Sequence, residues 1–156
     1  MSQSKPLRDA MKLHFYPFAK EQGFVRGKAS SLIAPFSRVE GDMVHWFDLQ
    51  WEKYLRPYFV VNFCEFPFEG TSALKEQFVD KPEHRGEGYN YGGRLQRSRG
   101  GDLYHWFSNA KPLGKILRSF SFTYTPEQAV GELIDSFGEL EAWWESKLEG
   151  PHIYIF

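Results

Sequence analysis

At 156 residues the chain is long enough for one domain with its own core. Its net charge of −1 argues against a strong overall field that would recruit nucleic acid or an anionic membrane. The single cysteine excludes an internal disulfide and a zinc site of paired cysteines.

The ends and hydropathy of the chain predict a cytoplasmic protein. Residues 1–12 contain no apolar run after their basic residues, so we predict no signal peptide. No segment approaches the ~18 apolar residues of a membrane span, so we expect no membrane association.

Near the N-terminus, helical spacing predicts an amphipathic helix over residues 6–22. Its apolar side carries Leu7, Met11, Phe15 and Phe18. Gly23 is typical of the residue that ends a helix. Pro17 is expected to kink the helix or shorten its last turn. Residues 32–39 are then expected to form a strand interrupted at Pro35.

The central feature is a predicted β-hairpin. Residues 43–51 and 58–66 are rich in β-branched and aromatic side chains, which favours paired strands. Pairing Glu52 with Tyr58 leaves 53–57 as the loop. The register is well defined because a slip of one residue would turn every side chain to the other face.

This register predicts two different faces. The apolar face pairs Trp51 with Phe59, Leu49 with Val61, Phe47 with Phe63 and His45 with Glu65. The mixed face sets Trp46, Asp48 and Gln50 opposite Cys64, Asn62 and Val60. We expect helices on the apolar face.

After the hairpin the pattern becomes less regular. We expect a short helix over 69–80 and a Gly/Arg-rich loop over about residues 81–101, within which 89–97 could form a strand. The segment GDLYHWF (101–107) repeats GDMVHWF (41–47) at five of seven positions. We take both as strands with the same packing role.

The C-terminal part predicts helices. Residues 109–120 have helical spacing, although 120–124 could instead be extended. The final helix is predicted over about 126–149, because Thr125-Pro126-Glu127-Gln128 is a capping box. The tail 152–156 is either a docked strand or a frayed end. The expected fold is α+β: a single domain with a mostly antiparallel sheet of five or six strands and the N- and C-terminal helices on one face.

Several short motifs occur in a set order after the N-terminal helix. They are Gly23-Phe24-Val25-Arg26, Phe36-Ser37-Arg38, Asp48-Leu49-Gln50, Phe59-Val60-Val61-Asn62, Arg94-Leu95 and Asp102 to Trp106. This order, over residues 7–110, resembles a bacterial family known only as a domain of unknown function. That family has a regular strand where this chain has its Gly-rich insertion. Such domains resemble neighbours of polymorphic-toxin loci, some of which are immunity proteins, so the resemblance implies protein binding.

Three candidate chemistries involve single residues. His45 and His105, at equivalent places in the repeated motif, could face one another as metal ligands or an acid–base pair. The simpler interpretation gives each a local partner, such as Glu65 for His45, since no HExxH-type spacing is present. Cys64 with a distant histidine could be a nucleophile pair, but it lies mid-strand among aliphatic neighbours, which is typical of an inert core residue.

Two clusters are the candidate binding sites. Tyr89, Tyr91, Arg94 and Arg97 in the Gly/Arg loop would suit single-stranded nucleic acid or phosphate, unless they form a solvated hairpin whose charge nearby acids offset. Trp46, Asp48, Gln50 and Asn62 would form either a small polar pocket or the wet side of an antiparallel sheet.

These observations favour a non-catalytic interaction module, immunity-like by resemblance, that binds another protein through the Gly/Arg loop and the mixed face without a cofactor. The first alternative is a small metal-dependent hydrolase or nuclease-like enzyme using His45, His105 and Asp48. The second is a binder of nucleic acid or phosphate through the Gly/Arg loop.

Overall fold

The computed structural model describes residues 3–67, 91–111, 113–119 and 123–156. The helical elements are α1 (Lys5–Ala10), a π-helical turn (Met11–Phe15), α2 (Tyr16–Glu21), a 3₁₀ turn (Leu103–His105), α3 (Leu113–Ser119), α4 (Pro126–Ser136) and α5 (Gly138–Ser146). The strands are β1 (Val25–Arg26), β2 (Ile33–Glu40), β3 (Met43–Trp51), β4 (Tyr58–Pro67), β5 (Tyr91–Leu95), β6 (Phe107–Ser108) and β7 (Ile153–Ile155).

The strands form one antiparallel sheet in an α+β fold, as predicted. The seven strands of the described residues run in the order β1-β2-β3-β4-β5-β7, and β6 pairs with β4 outside this path. The N- and C-terminal helices pack together on one face of the sheet. Within the part of the chain that the structure describes, no helix has the length and apolar character to cross a bilayer.

The central hairpin has the predicted register at every pair. Trp51 lies opposite Phe59, Asp48 opposite Asn62, and His45 opposite Glu65. The loop is closed by Glu52, whose carboxylate accepts from the Tyr54 N–H at 2.9 Å and from the Arg56 side chain at 3.0 and 3.2 Å. These bonds, with that from Arg56 foremost, lower the pKa of Glu52.

Pro17 does not shorten the N-terminal helix, because a wider turn precedes it. The Tyr16 N–H bonds to the carbonyl of Met11, five residues back, which is the spacing of a π turn. Pro17 then lies in the first turn of α2. The N–H groups of a first turn have no acceptor within the helix, so the missing N–H of Pro17 removes no helical hydrogen bond.

Pro35 does not interrupt β2 either. Its carbonyl accepts from the Gly27 N–H at 2.8 Å, so its main-chain groups point toward β1 and away from β3. The proline nitrogen therefore removes no hydrogen bond from the ladder between β2 and β3. The strand runs through it from Ile33 to Glu40.

The core lies between the sheet and the helices and is built from rings. Phe137, between α4 and α5, contacts five other rings at centroid distances of 5.4–6.4 Å. Their residues are Phe15, Phe18, Phe24, Phe47 and Trp144. Each large apolar side chain buried here contributes about 1.5–3 kcal/mol, and edge-to-face ring pairs add to this.

The repeated motif does not form a second copy of the hairpin strand. The Asp102 side chain accepts from the Tyr104 N–H at 3.2 Å and caps the 3₁₀ turn. Only Phe107 and Ser108 then pair, with the start of β4. The strand predicted over 102–107 is therefore wrong, and with it the equivalence of His45 and His105.

The Gly/Arg-rich region is partly a strand. Residues 91–95 form β5 between β4 and β7, while 81–90 and the helix predicted over 69–80 lie outside the described residues. Two glycines of β5 meet their neighbours closely. A Cβ on Gly93 would lie 2.2 Å from the Tyr154 carbonyl oxygen, and one on Gly92 would lie 2.5 Å from the Phe63 ring.

The C-terminal helix begins as predicted but ends earlier. Both bonds of the capping box are present, at 2.9 Å and 3.1 Å between Thr125 and Gln128. The helix divides at Phe137 and ends at Ser146, because Lys147 adopts the left-handed conformation with φ +58°. The tail is a docked strand, with Arg94 opposite Tyr154. Before this helix, the segment predicted as helical over 109–120 contains α3. Thr123 forms a β-bridge with Ala110, and residues 120–122 are outside the described residues.

Candidate functional site

The predicted mixed face contains a connected set of polar side chains, which we call the polar chain: Asp48, Gln50, Asn62 and Arg94. The Asn62 amide donates to Asp48 Oδ1 and to Gln50 Oε1, both at 2.8 Å. Its Oδ1 accepts from Arg94 Nε at 2.9 Å. Hairpin pairing puts Asp48 opposite Asn62, and β5 pairing puts Arg94 on the other side of Asn62.

This face is not the wet side of the sheet. Trp46 and Asp48 are 0% exposed and Asn62 is 3% exposed. Buried polar groups of this kind are stable only when hydrogen-bonded, as the polar chain is. The pocket-like alternative is thus closer to the structure, but these side chains do not form an open binding surface.

Arg94 lies between two aromatic rings at the end of the polar chain. Its Cζ is 5.5 Å from the centroid of the Trp106 ring and 5.5 Å from that of Phe156. Burial lowers the pKa of Arg94. The contacts with the two rings and the bond to Asn62 hold this guanidinium within the fold.

The guanidinium of Arg97 makes its hydrogen bonds to other groups of the protein. Its Nε and Nη2 donate to the Glu132 carboxylate at 2.9 and 2.7 Å. Its other donors bond the Ser108 carbonyl and hydroxyl at 2.6 and 3.2 Å and the Ala110 carbonyl at 2.7 Å. All five N–H donors of the guanidinium therefore have acceptors. Arg97 has no donor left for a partner.

Of the two tyrosines predicted for the Gly/Arg loop, the structure describes only the backbone of Tyr91. Tyr89 lies outside the described residues. The backbone of Tyr91 pairs with Cys64 in the sheet. Arg94 therefore belongs to the mixed face, whereas the hydrogen bonds of Arg97 go to Glu132, Ser108 and Ala110.

His45 belongs to a network around Arg38, and its described hydrogen bonds go to Arg38 instead of Glu65. Its Nδ1 accepts from Arg38 Nε and Nη2 at 3.2 and 3.1 Å, and its ring stacks on Trp144 at 4.8 Å. Arg38 also pairs with Glu141, while Glu65 pairs with Lys147. Burial, then the Arg38 charge, lowers the pKa of His45. A guanidinium on Nδ1 opposes binding of a metal cation to the same nitrogen.

This network predicts a pH dependence of stability. The pKa of His45 is lower in the folded chain than in the unfolded chain, so below about pH 6.5 the unfolded chain binds more protons. We expect the free energy of unfolding to fall as pH drops below that value. His45→Gln, which keeps an acceptor but cannot titrate, should reduce this slope.

Urea unfolding at several pH values between about 5 and 8 measures the slope. His14→Gln is the control, because His14 is exposed and makes none of the described hydrogen bonds to Arg38. An unchanged slope in His45→Gln would contradict the assignment.

His105 has different neighbours from His45. Its Nδ1 is 2.8 Å from the Ser98 hydroxyl, and its Nε2 is 3.6 Å from Asp102. Gly100 packs on the ring, where a Cβ would approach to 2.1 Å. Among the described residues, no three His, Cys, Asp or Glu side chains are grouped to hold a metal ion.

Cys64 is a buried thiol in β4. Burial raises its pKa to about 12. The thiolate, which is the nucleophilic form, is therefore a very minor species at neutral pH. This agrees with its interpretation as an inert core residue.

An open groove lies where the N-terminal helix meets the edge strand β1, and we call it the N-terminal groove. Its volume is about 670 Å³. The apolar walls are formed by Tyr16, Pro17, Phe24, Val25 and Phe36, and three cations, Lys12, Lys20 and Arg26, line it as well. Val25 is 68% exposed although it is aliphatic. None of the described lining residues is acidic.

A smaller recess adjoins this groove. It has a volume of about 130 Å³ and shares Lys12 and Tyr16 with the groove. Arg8 lines it, lies 4.5 Å above the Trp51 ring, and donates to the Ser31 carbonyl at 2.8 Å. Its Nη2 is buried and has no acceptor in the described part of the chain. The positive charge therefore extends beyond the groove itself.

The sequence contains one signal for this groove. Lys12, Tyr16 and Lys20 recur every four residues, which puts them on one side of a helix, and the exposed pair Val25-Arg26 follows. A positive stripe on a helix is usually a solvated surface, so the pattern alone does not indicate a concave site.

Comparison with known proteins adds no identification. No protein-family model, no curated protein and no solved structure matches this chain.

Proposed function

We propose that this chain is a non-catalytic, cytoplasmic protein-interaction module that binds its partner in the N-terminal groove. The observation that carries the proposal is an open, apolar-walled groove lined by cations at the edge of a sheet. The motif order described above supports an immunity-like role for such a module.

The groove combines exposed apolar walls with cations that no described carboxylate neutralises. Elsewhere many cations are matched by carboxylates: Lys5 with Asp9, Arg38 with Glu141, Arg56 with Glu52, Arg97 with Glu132 and Lys147 with Glu65. Lys12, Lys20 and Arg26 form no ion pair with any residue that the structure describes. Exposed apolar walls beside uncompensated charge are typical of a binding site.

The alternatives receive less support from the geometry. A hydrolase built on His45 and His105 would need both rings at one centre, whereas their contacts are with different groups. A nucleic-acid site in the Gly/Arg loop would need free arginines, whereas Arg97 is saturated and Arg94 is held between rings. The groove is the better place for a partner.

The test is selection of a display library of short random peptides on the purified protein. Selected peptides are then measured against Val25→Asn, which makes one wall of the groove polar. Val39→Asn is the matched control, because Val39 is 45% exposed on β2 and does not line the groove.

We expect binding to weaken by about tenfold in Val25→Asn, the equivalent of 1.4 kcal/mol, and to stay unchanged in Val39→Asn. Peptides that bind both variants as well as the unmodified protein would overturn the groove as the binding site. The melting temperatures of both variants are measured alongside, since a surface Val→Asn change should leave them close to that of the unmodified protein.

A further inference from the structure

The described charged residues that line the N-terminal groove are all cations. Lys12 and Lys20 come from the helix and Arg26 from β1, so the cations lie on both sides of the apolar floor. Arg26 is also stacked over the Tyr16 ring, with its Cζ 5.1 Å from the centroid. This contact restrains the guanidinium at the rim. Burial raises the pKa of Tyr16, so its phenol adds no negative charge at neutral pH.

The floor of the groove favours a large apolar group. Phe24 and Phe36 are almost fully buried there, at 4% and 3% exposure, and Pro17 and Val25 form the sides. Burial of one aromatic or leucine side chain between these sides would remove the exposed surface of Val25 and Pro17 from water. The groove therefore suits an apolar side chain whose flanking groups are negative.

The edge strand also offers main-chain hydrogen bonds. Val25 lies opposite Ser37 and Arg26 opposite Phe36, and the Gly27 N–H bonds to Pro35. Since bonded pairs alternate along an antiparallel ladder, the N–H and C=O of Arg26 point away from β2. Among the described strands none pairs with that outer edge of β1. An extended segment of a partner could bond there.

From these features, and resting on the proposed function, we infer that the partner presents an extended acidic segment with a large apolar side chain. The apolar side chain occupies the floor over Phe24 and Phe36. Carboxylates before and after it pair with Lys12, Lys20 and Arg26, and its main chain bonds to Arg26. A peptide fits better than a membrane surface, because the apolar floor is recessed and the main-chain donor and acceptor lie beside it.

The experiment uses the peptides selected on the unmodified protein in the library described above. Their composition is compared with that of the starting library, and their affinities are measured at low and high salt. The same peptides are then measured on the double variant Lys20→Glu, Arg26→Glu. The matched control is Lys115→Glu, Arg118→Glu, which makes the same charge change on the exposed face of α3.

We expect the selected peptides to be enriched in Asp and Glu around one aromatic residue or leucine. Their affinity should fall with salt and fall by at least about tenfold in the groove double variant, but not in the α3 control. Replacing the acidic residues of a selected peptide by lysine should restore binding to the groove double variant.

The outcomes separate this inference from the proposed function. Peptides that depend on Val25 but are neutral or basic would overturn the inference and leave the interaction module standing. Peptides that do not depend on Val25 would overturn both. Phosphatidylglycerol vesicles that bind through Lys20 and Arg26, where acidic peptides do not, would also overturn the inference in favour of a membrane surface.

Discussion

Gly93→Ala is expected to destabilise the protein by about 3 kcal/mol, at the upper end of the usual effect of overpacking. The new Cβ would lie 2.2 Å from the Tyr154 carbonyl oxygen and 2.9 Å from the Ile155 Cα. Both atoms belong to the backbone of β7, so no rotamer change can relieve the contact. The strands β5 and β7 would have to separate.

The matched control is the same substitution at Gly131, in the middle of α4. No atom lies within 4 Å of a Cβ added there. Because alanine favours a helix more than glycine does, Gly131→Ala should increase the free energy of unfolding by about 0.5–1 kcal/mol. Urea denaturation of both variants measures the two effects. A Gly93→Ala variant as stable as the unmodified protein would show that β7 is not held against β5 in this register.

Arg97→Ala is expected to lower the free energy of unfolding by about 2–3 kcal/mol. The change leaves Glu132 without its cation and the Ser108 and Ala110 carbonyls without donors. The side chain of Arg97 is only 12% exposed, while that of Glu132 is 28% exposed. This partial exposure keeps the effect below that of breaking a fully buried pair.

Arg97→Lys should recover only part of the loss, because an ammonium group cannot reproduce the planar fork of five donors. Arg118→Ala, at an exposed position of α3, is the control and should change stability by no more than about 0.5 kcal/mol. Thermal and urea unfolding of the three variants give the comparison. If Arg97→Ala unfolds like Arg118→Ala, the bonds to Glu132 and the carbonyls contribute little, and Arg97 returns as a candidate for partner binding.

The hairpin could be predicted from the sequence because its information is local. Each strand alternates between the two faces of the sheet, and a slip of one residue would turn Phe47 and Leu49 away from the face that holds Phe63 and Val61. The capping box before α4 is equally local, since the bonds of Thr125 and Gln128 join neighbouring residues. Features of this kind depend little on the rest of the fold.

The repeated motif shows why other predictions failed. In both copies Gly-Asp precedes HWF, but Gly41-Asp42 turns β2 into β3, whereas Asp102 caps a 3₁₀ turn. The first copy has a strand on each side of it, and the second has only two residues paired with β4. Strand formation therefore follows the neighbours available in the fold more than the sequence of the segment.

The candidate site could not be predicted from the sequence, because its residues come together only in the folded chain. Arg38 and Glu141 are 103 residues apart in the sequence, and no local pattern predicts that His45 contacts this ion pair. The groove likewise appears only when β1 packs beside the helix that carries Lys12 and Lys20. The polar chain was the exception, because the hairpin register already places Asp48 beside Asn62.

The pairing of β5 with β7 also bears on how the chain reaches its native state. Leu95 pairs with Ile153 and Gly93 pairs with Ile155. Because these partners are far apart in the sequence, their pairing closes a long loop. During translation the outer edge of β5 would stay unpaired for on the order of seconds while the intervening residues are made. Refolding experiments should find protection of the β5 amides that bond to β7 among the last to form, and a nascent chain halted before β7 should be the form most exposed to chaperones and to aggregation.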